Sequence, residues 1–389
     1  MAMIDLAPLS RRTSHLREAS ILRALTLKVN ALDDGINLGQ GVCDLEMPRP
    51  LRLAAVESLL HDRATYTNFA GVLPLREQIV RRMKERYGLE YDVGEVVVTV
   101  GSSMAYTSTL MTLVDPGDEV VLFEPFYPYH HTGARLAGAV VKPVPLTLGD
   151  DGIDWAALEA ALSDRTRLIV LNTPSNPLGK VWTQAELDRL ADLLDGSPTH
   201  IVTDEIYEDL VYDGRTHIPP ATHPKLYERT ITISGLSKAY SITGWRLGWL
   251  AAPKRLAGAI GPVFDVLAVC TSRPLQQAAA AALRELPETY YSSLRDGYER
   301  RRKILCDALR TGGFKVREPE GSYYVLADYT ERWGADLPPE DACFRLLDEV
   351  SIAAIPSTIF YAGVTPPELR FQYAVEDDVL AEVARRLAR

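Results

Sequence analysis

Six short apolar runs recur through the middle of this 389-residue chain: EVVVTV (95–100), EVVLF (119–123), LIVLN (168–172), IVTDE (201–205), TITIS (230–234) and LGWLAA (247–252). They restrict the fold more than any other feature. A strand with one wet face alternates apolar and polar residues. These runs are nearly continuous, so they belong in a sheet covered on both faces. Between two of them, VWTQAELDRLADLLDG (181–196) carries a helix. Thr183 and Glu186 form a capping-box pattern, Leu187, Leu190, Ala191 and Leu194 make one apolar face, and Gly196 is a stop. Strand, helix and strand in that order make a βαβ crossover. The predicted fold is therefore α/β with a mostly parallel central sheet.

The C-terminal part reads differently. Residues 295–309 form a charged amphipathic helix, and GSYYVLADY (321–329) and ELRFQYA (368–374) read as strands. The closing EDDVLAEVARRLAR puts acids at the start of a helix and arginines at its end, matching the helix dipole. This mixture predicts a second, smaller α+β domain. The break falls near residues 280–300, which assigns 46–285 to a large domain and 1–45 with 286–389 to a small one. No internal repeat or low-complexity linker is present.

Composition removes several function classes. The net charge of −10 argues against general binding to nucleic acid or to an anionic membrane, although a local basic pocket is compatible with it. Cys43, Cys270, Cys306 and Cys343 lie far apart with no CxxC pair, so neither a disulfide scaffold nor a metal site is expected. MAMIDLAPLSRRTSH lacks the apolar core of a signal peptide, and no apolar run is long enough to span a bilayer. A cytoplasmic location is the expectation.

Five stretches then draw attention, each with an ordinary reading beside a functional one. TVGSSMAYTSTLM (99–111) ends a strand at Gly101 and opens a helix with Ser102 and Ser103; this is an anion seat or simply a helix cap. EPFYPYH (124–130) offers Tyr127 to stack on a planar ligand, or an aromatic packing loop. LNTPSNPLGKVWT (171–183) holds Asn172, Asn176 and Gly179 in a rigid loop at a strand's carboxyl end, where ligands of open α/β sheets bind; turn chemistry explains it equally. In IVTDEIYEDLVYDG (201–214), Asp204 and Glu205 end a buried strand, which is costly unless they are paired, or they cap a following helix. Tyr207 follows closely. In TITISGLSKAYSITGWRLGWLAA (230–252), Lys238 is either a surface lysine or a partly desolvated amine suited to a Schiff base, with Arg246 to fork a phosphate. Taken together, amine, carboxylate, tyrosine, asparagine, stacking ring and phosphate seat are the parts that pyridoxal 5′-phosphate requires.

INLGQG (36–41), YTNFAG with LREQI (66–79), VGSSMA (100–105), DPGDEVVLFEPFYPYH (115–130), NTPSNPLGK (172–180), TDEIYEDL (203–210), SGLSKAYSITGWRLGW (234–249) and LRFQYA (369–374) run almost the length of the chain. With them the sequence resembles the fold-type-I aminotransferases of class I/II, and within these the kynurenine, glutamine, methionine and aromatic aminotransferases. The resemblance implies that Lys238 forms the internal aldimine and that Asp204 pairs with the pyridine nitrogen. It implies that Tyr207 and Asn176 bond the ring's phenolic oxygen and that Tyr127 stacks on the ring. Ser102, Ser103, Ser237 and Arg246 would hold the phosphate, with Ser234 a further candidate and Tyr66 reaching the phosphate of a neighbouring subunit. Arg370, near Gly41 and Asn176, would clamp the substrate α-carboxylate. A homodimer with shared active sites is implied as well.

The implied activity is transfer of an amino group from an L-amino acid to a 2-oxo acid by a ping-pong path. The same scaffold also serves C–S β-lyases and biosynthetic oxidases or cyclases. Val42-Cys43 stands where relatives commonly have an aromatic-proline pair, so specificity does not carry over. For a distal carboxylate only Arg273 and Arg49 suggest themselves, with no motif behind either, and an aromatic or medium-sized neutral donor is expected.

Overall fold

The computed structural model describes residues 20–388 apart from 44 and 151, together with residues 10 and 13. Of the N-terminal stretch 1–45 assigned to the small domain, residues 1–9, 11, 12, 14–19 and 44 thus lie outside the described residues. Strand β1 (Ile36–Asn37) is two residues long. The next seven strands, β2 (Val96–Val100), β3 (Glu119–Glu124), β4 (Val140–Pro145), β5 (Thr166–Asn172), β6 (His200–Asp204), β7 (Thr230–Gly235) and β8 (Leu247–Ala251), build one sheet in the order β2-β8-β7-β6-β5-β3-β4. Pairs β3/β4, β3/β5, β5/β6 and β6/β7 are parallel, whereas β8 runs antiparallel to both β2 and β7. Six strands therefore run one way and β8 the other. Their carboxyl ends share an edge with the amino end of β8.

All six predicted runs are strands of this sheet. Successive residues feed opposite faces, as a pleat demands: Val120 and Leu122 enter one core, Val121 and Phe123 another. Continuous apolarity in the sequence is the signature of that double burial. The helix Gln184–Leu193 starts from the predicted capping box. Glu186 N donates to Thr183 Oγ1 at 3.3 Å and Thr183 N donates to Glu186 Oε2 at 2.8 Å.

Strand β4 was not expected. Its VVKPVP carries two prolines, which a central strand excludes but an edge strand tolerates, and β4 is an edge of the sheet. The expected helix at 295–309 is longer, Glu288–Thr311, and packs on the closing helix Asp377–Leu387, which has Asp377 and Asp378 in its first turn and Arg385 and Arg386 in its last.

The C-terminal strands are β9 (Lys315–Val316), β10 (Tyr324–Asp328), β11 (Ile352–Ala353), β12 (Ile355–Pro356) and β13 (Glu368–Gln372). Four of them form an antiparallel sheet in the order β12-β13-β10-β9, and β11 pairs in parallel with β1, which ties the N-terminal segment to this part of the chain. Leu25 and Leu38 share a core with Leu305, Phe371 and Leu380. Tyr207, Leu210 and Tyr212, from the turn after β6, belong to the same core. The two sheets are thereby joined beneath the edge where the candidate residues gather.

Candidate active site

Because six strands end and β8 begins at one edge, the segments after β2, β3, β5, β6 and β7 converge there. Strand β2 runs straight into the helix Gly101–Leu113. Gly101 has φ +72°, and a Cβ at that position would lie 2.4 Å from Arg246 Nη2. Only glycine lets the guanidinium reach the start of this helix. Gly248 plays the same part on the other side, where a Cβ would meet Ser102 N at 2.4 Å. Arg246 also adopts a left-handed backbone, φ +55°, and donates from Nη1 to Thr243 O at 3.1 Å. Unpaired N–H groups, Ser102, Ser103 and one arginine thus form an anion-attracting corner.

Beside that corner lies a cavity of about 730 Å³. Lys238, Asp204, Tyr207 and Asn176 line it, as do Ser102, Tyr127, Gly41 and Arg370. Four predicted residues do not. Ser103 and Arg246 are exposed next to it, Ser237 is buried in the turn after β7, and Tyr66 is 77% exposed. Ser234, the further phosphate candidate, instead donates to Glu205 O at 3.3 Å from within β7.

Lys238 is not a surface lysine. Its Nζ donates to Gly41 O at 3.0 Å and faces the rings of Tyr323 at 5.4 Å and Tyr207 at 6.0 Å. Asp204 is the last residue of β6 and is 4% exposed. Residues 206–209 form a turn, so the acids cap no helix. Asp204 Oδ2 lies 3.1 Å from His130 Nε2, and Oδ1 accepts from Ile206 N at 3.2 Å. Glu205 is paired separately with His217 Nε2 at 2.8 Å, and burial raises the pKa of its carboxyl.

The tyrosine pair Tyr207 and Tyr324 joins the two sheets, with a hydroxyl contact of 3.3 Å. Burial pushes the Tyr207 pKa well above the ordinary tyrosine value, and Tyr127 moves the same way for the same reason. Tyr127 immediately precedes the helix Pro128–Ala137, its ring stacked on Tyr129 at 5.3 Å and edge-on to His130 at 5.2 Å. The loop after β5 contains cis peptide bonds at Thr173–Pro174 and Asn176–Pro177. It is fixed by Asn172, whose Oδ1 accepts from Asn176 N at 2.7 Å and whose Nδ2 donates to Asp204 O at 3.0 Å. Arg370, on β13 and 7% exposed, donates from Nη1 to Asn176 Oδ1 at 2.9 Å and from Nη2 to Gly39 O at 2.5 Å. Its guanidinium lies over the Tyr324 ring at 4.3 Å.

His130 and Tyr324 are site residues that the sequence reading missed, and so are Gly39 and Arg23 at the cavity wall. His130 stood inside the quoted EPFYPYH, but only its long-range contact with Asp204 gives it meaning. Of the unusual pair Val42-Cys43, Val42 lines the cavity, whereas Cys43 is buried behind it with Sγ 3.7 Å from Lys238 O. Among the described residues, Glu205, Glu208 and His217 could together reach a metal ion. Glu208 already accepts from Arg82 at 3.2 Å and Tyr87 at 2.6 Å, and a guanidinium so close opposes a second cation.

The residues suit pyridoxal 5′-phosphate: an amine for its carbonyl, a buried carboxylate for its ring nitrogen, an aromatic face, and a corner that only glycines keep open for a phosphate. Among the described residues no helix is long and apolar enough to cross a membrane. The model of the family "Aminotransferase class I and II" matches residues 33–387. Methionine aminotransferase of Escherichia coli is 34% identical over 354 residues, covering 90% of this chain and 91% of that protein. A probable N-succinyldiaminopimelate aminotransferase of Mycobacterium tuberculosis is 34% identical over 380 residues, 94% of each. The crystal structure of Escherichia coli YbdL, described as having a methionine aminotransferase function, superposes with a TM-score of 0.93 at 32% identity, over 98% of this chain and 99% of that one. The chain belongs to the class I and II aminotransferases, enzymes of PLP fold type I that use pyridoxal 5′-phosphate.

Proposed function

We propose that this aminotransferase takes an L-amino acid with an aromatic or medium-sized neutral side chain as its donor. The observation that carries this is the cavity itself: Lys238, from the turn after β7, and Arg370, on β13, both line it, and Leu27, Val42, Ile355 and Ile359 add apolar lining. The relatives named for methionine and kynurenine support the same class. When bound, pyridoxal 5′-phosphate supplies a carbonyl for amines and an electron-withdrawing ring.

The roles we assign to the chain's own residues follow from their places. Asp204, backed by His130, holds the proton of the ring nitrogen. Asn176 and Tyr207 donate to the ring oxygen, and Tyr127 covers the ring. Ser102, Ser103, Ser237 and Arg246 hold the phosphate at the helix start. Arg370 fixes the substrate carboxylate beside Gly41 and Asn176. Lys238 Nζ would take the Cα proton of the donor as general base and deliver it, as general acid, to the cofactor carbon that receives the amino group. Fixing the substrate carboxylate sets which Cα bond faces that amine, and orientation of this kind contributes about 7 kcal/mol in good cases. The donor leaves as a 2-oxo acid, and a second 2-oxo acid takes up the amino group, which is a ping-pong cycle.

The reading includes a cytoplasmic homodimer and a division into 46–285 and 1–45 with 286–389. Exposed Tyr66 and the exposed Leu53, Leu59 and Leu60 of helix Arg49–His61 are apolar surface that supports dimerisation. The test is a single half-reaction: the holoenzyme is mixed with a panel of amino acids and no oxo acid. Stoichiometric 2-oxo acid from methionine or aromatic donors is expected. Continued turnover with release of ammonia or peroxide would mean a lyase or oxidase instead.

A further inference from the structure

Tyr324 opens β10 and is buried, yet it lines the cavity. The register of the C-terminal sheet explains its first neighbour. Tyr324 pairs with Gln372 of β13 and Leu326 pairs with Arg370, so Tyr324 and Arg370 are diagonal neighbours on one face. A diagonal step of about 7–8 Å is within reach of an aromatic ring and a long cationic side chain. The Arg370 guanidinium carbon accordingly lies 4.3 Å from the centre of the Tyr324 ring, with the Phe360 ring at 5.1 Å. Asn176 and Gly39 take N–H groups of the fork, and the Tyr324 ring supports its face.

The far end of the same side chain reaches the other half of the site. Tyr324 Oη lies 3.3 Å from Tyr207 Oη. The niche for this hydroxyl exists because residue 41 is glycine: a Cβ there would lie 1.9 Å from Tyr324 Oη. Gly41 O meanwhile accepts from Lys238 Nζ at 3.0 Å. Here Tyr207 donates its proton to Tyr324. A tyrosine hydroxyl has one proton to give and can accept as well. When Tyr207 donates to the ring oxygen of the cofactor instead, the contact survives only if Tyr324 turns its own proton toward Tyr207. A hydroxyl that accepts a hydrogen bond is polarised into a better donor.

We propose that Tyr324 is a positioning residue for both halves of the site: its ring face orients Arg370 for the substrate α-carboxylate, and its hydroxyl donates to Tyr207 and aims the Tyr207 proton at the cofactor ring oxygen. This rests on the roles given above to Arg370 and Tyr207. The two actions belong to different atoms, so substitution separates them. Phenylalanine keeps the ring and removes the hydroxyl, whereas leucine removes both.

The hydroxyl is tested on the aminated holoenzyme, whose pyridoxamine 5′-phosphate is not joined to Lys238. Dilution of the protein, followed by the fluorescence of the released cofactor, gives its dissociation constant. Tyr207→Phe should weaken binding about tenfold, the size of a hydrogen bond to a charged group. Tyr324→Phe should weaken it about threefold when Tyr207 is present and not at all in the Tyr207→Phe background, because the effect passes through that hydroxyl. The ring is tested by steady-state kinetics on several donors. KM should stay within about twofold in Tyr324→Phe and rise about fivefold for every donor in Tyr324→Leu, the size of one cation–π contact. The near-isosteric Tyr324→Phe carries the test alone if Tyr324→Leu does not fold. Unchanged cofactor affinity in Tyr324→Phe, or the same loss in both backgrounds, overturns the role of the hydroxyl. A KM raised as much by phenylalanine as by leucine overturns that of the ring. A Tyr207→Phe enzyme that holds the cofactor as tightly as wild type overturns the underlying assignment of Tyr207 instead.

Discussion

Arg370 Nη1 donates to Asn176 Oδ1 at 2.9 Å, and this bond links β13 of the C-terminal sheet to the loop after β5 of the central one. Gly39 O takes Nη2, so two neighbours set the plane of the guanidinium before any substrate arrives. A fork so oriented is not replaceable by a point charge. Arg370→Lys should lower kcat/KM about a hundredfold, equally for all donors, which corresponds to about 2.7 kcal/mol. Steady-state kinetics on three donors of different side chain checks this. A loss confined to one donor would contradict a role at the common α-carboxylate.

Asn176→Ala removes the acceptor of a buried guanidinium. An unmade hydrogen bond of that kind costs roughly 1–3 kcal/mol. We expect a lower Tm together with a raised KM. A variant with normal Tm and KM would show that Gly39 alone suffices to hold Arg370.

Burial keeps the Tyr207 hydroxyl protonated through neutral and mildly alkaline pH. The ordinary tyrosine value is about 10, and burial raises this one further. Its hydroxyl therefore donates throughout and generates no limb of the pH–rate profile. Tyr207→Phe should reduce kcat about tenfold, in keeping with one lost hydrogen bond to a charged group, while leaving the apparent pKa values of the profile in place. Movement of the alkaline limb would show that Tyr207 does titrate.

Stability in acid should depend on Asp209. Burial opposes its ionisation, but Arg82 at 2.8 Å and Arg86 outweigh burial and hold its carboxyl below the usual range. An unfolded aspartate titrates near about 3.9. The folded value lies lower, so the stabilisation is complete above the unfolded value and is lost as pH falls from there through the folded one. Asp209→Asn should cost about 1–3 kcal/mol at neutral pH, because Arg82 is left with Glu208 and Arg86 with Glu288 as their remaining carboxylates, and the acid limb of denaturant midpoint against pH should flatten. An unaltered limb would place the acid sensitivity in another carboxylate.

Local pattern made much of this molecule legible. The strands β2, β3, β5, β6, β7 and β8 are written as nearly continuous apolar runs because both their faces are dry. Once their ends share an edge, Ser102, Tyr127, Asn176, Asp204 and Lys238 must meet, since Asp204 ends its strand and each of the others follows one within a few residues. Strand β4 escaped because Pro143 and Pro145 mark an edge position, which only the sheet order reveals. His130, Tyr324 and Arg23 escaped for a different reason. His130 is 74 residues from Asp204, Tyr324 is 117 from Tyr207, and neither contact leaves a periodic trace in the chain. Arg23 sits on a short amphipathic helix whose place over the cavity depends on the pairing of β1 with β11. The acids after β6 were readable as helix caps, and only the turn at 206–209 excludes that.

The assignment of Lys238 is tested by identifying the lysine that carries the cofactor. The holoenzyme is reduced with borohydride, digested, and analysed by mass spectrometry for a pyridoxyl group. The label is expected on Lys238, within the peptide that follows β7, and should disappear in Lys238→Ala together with the visible absorbance. Label on another lysine, such as the buried Lys180, or an unchanged spectrum in Lys238→Ala, would contradict it.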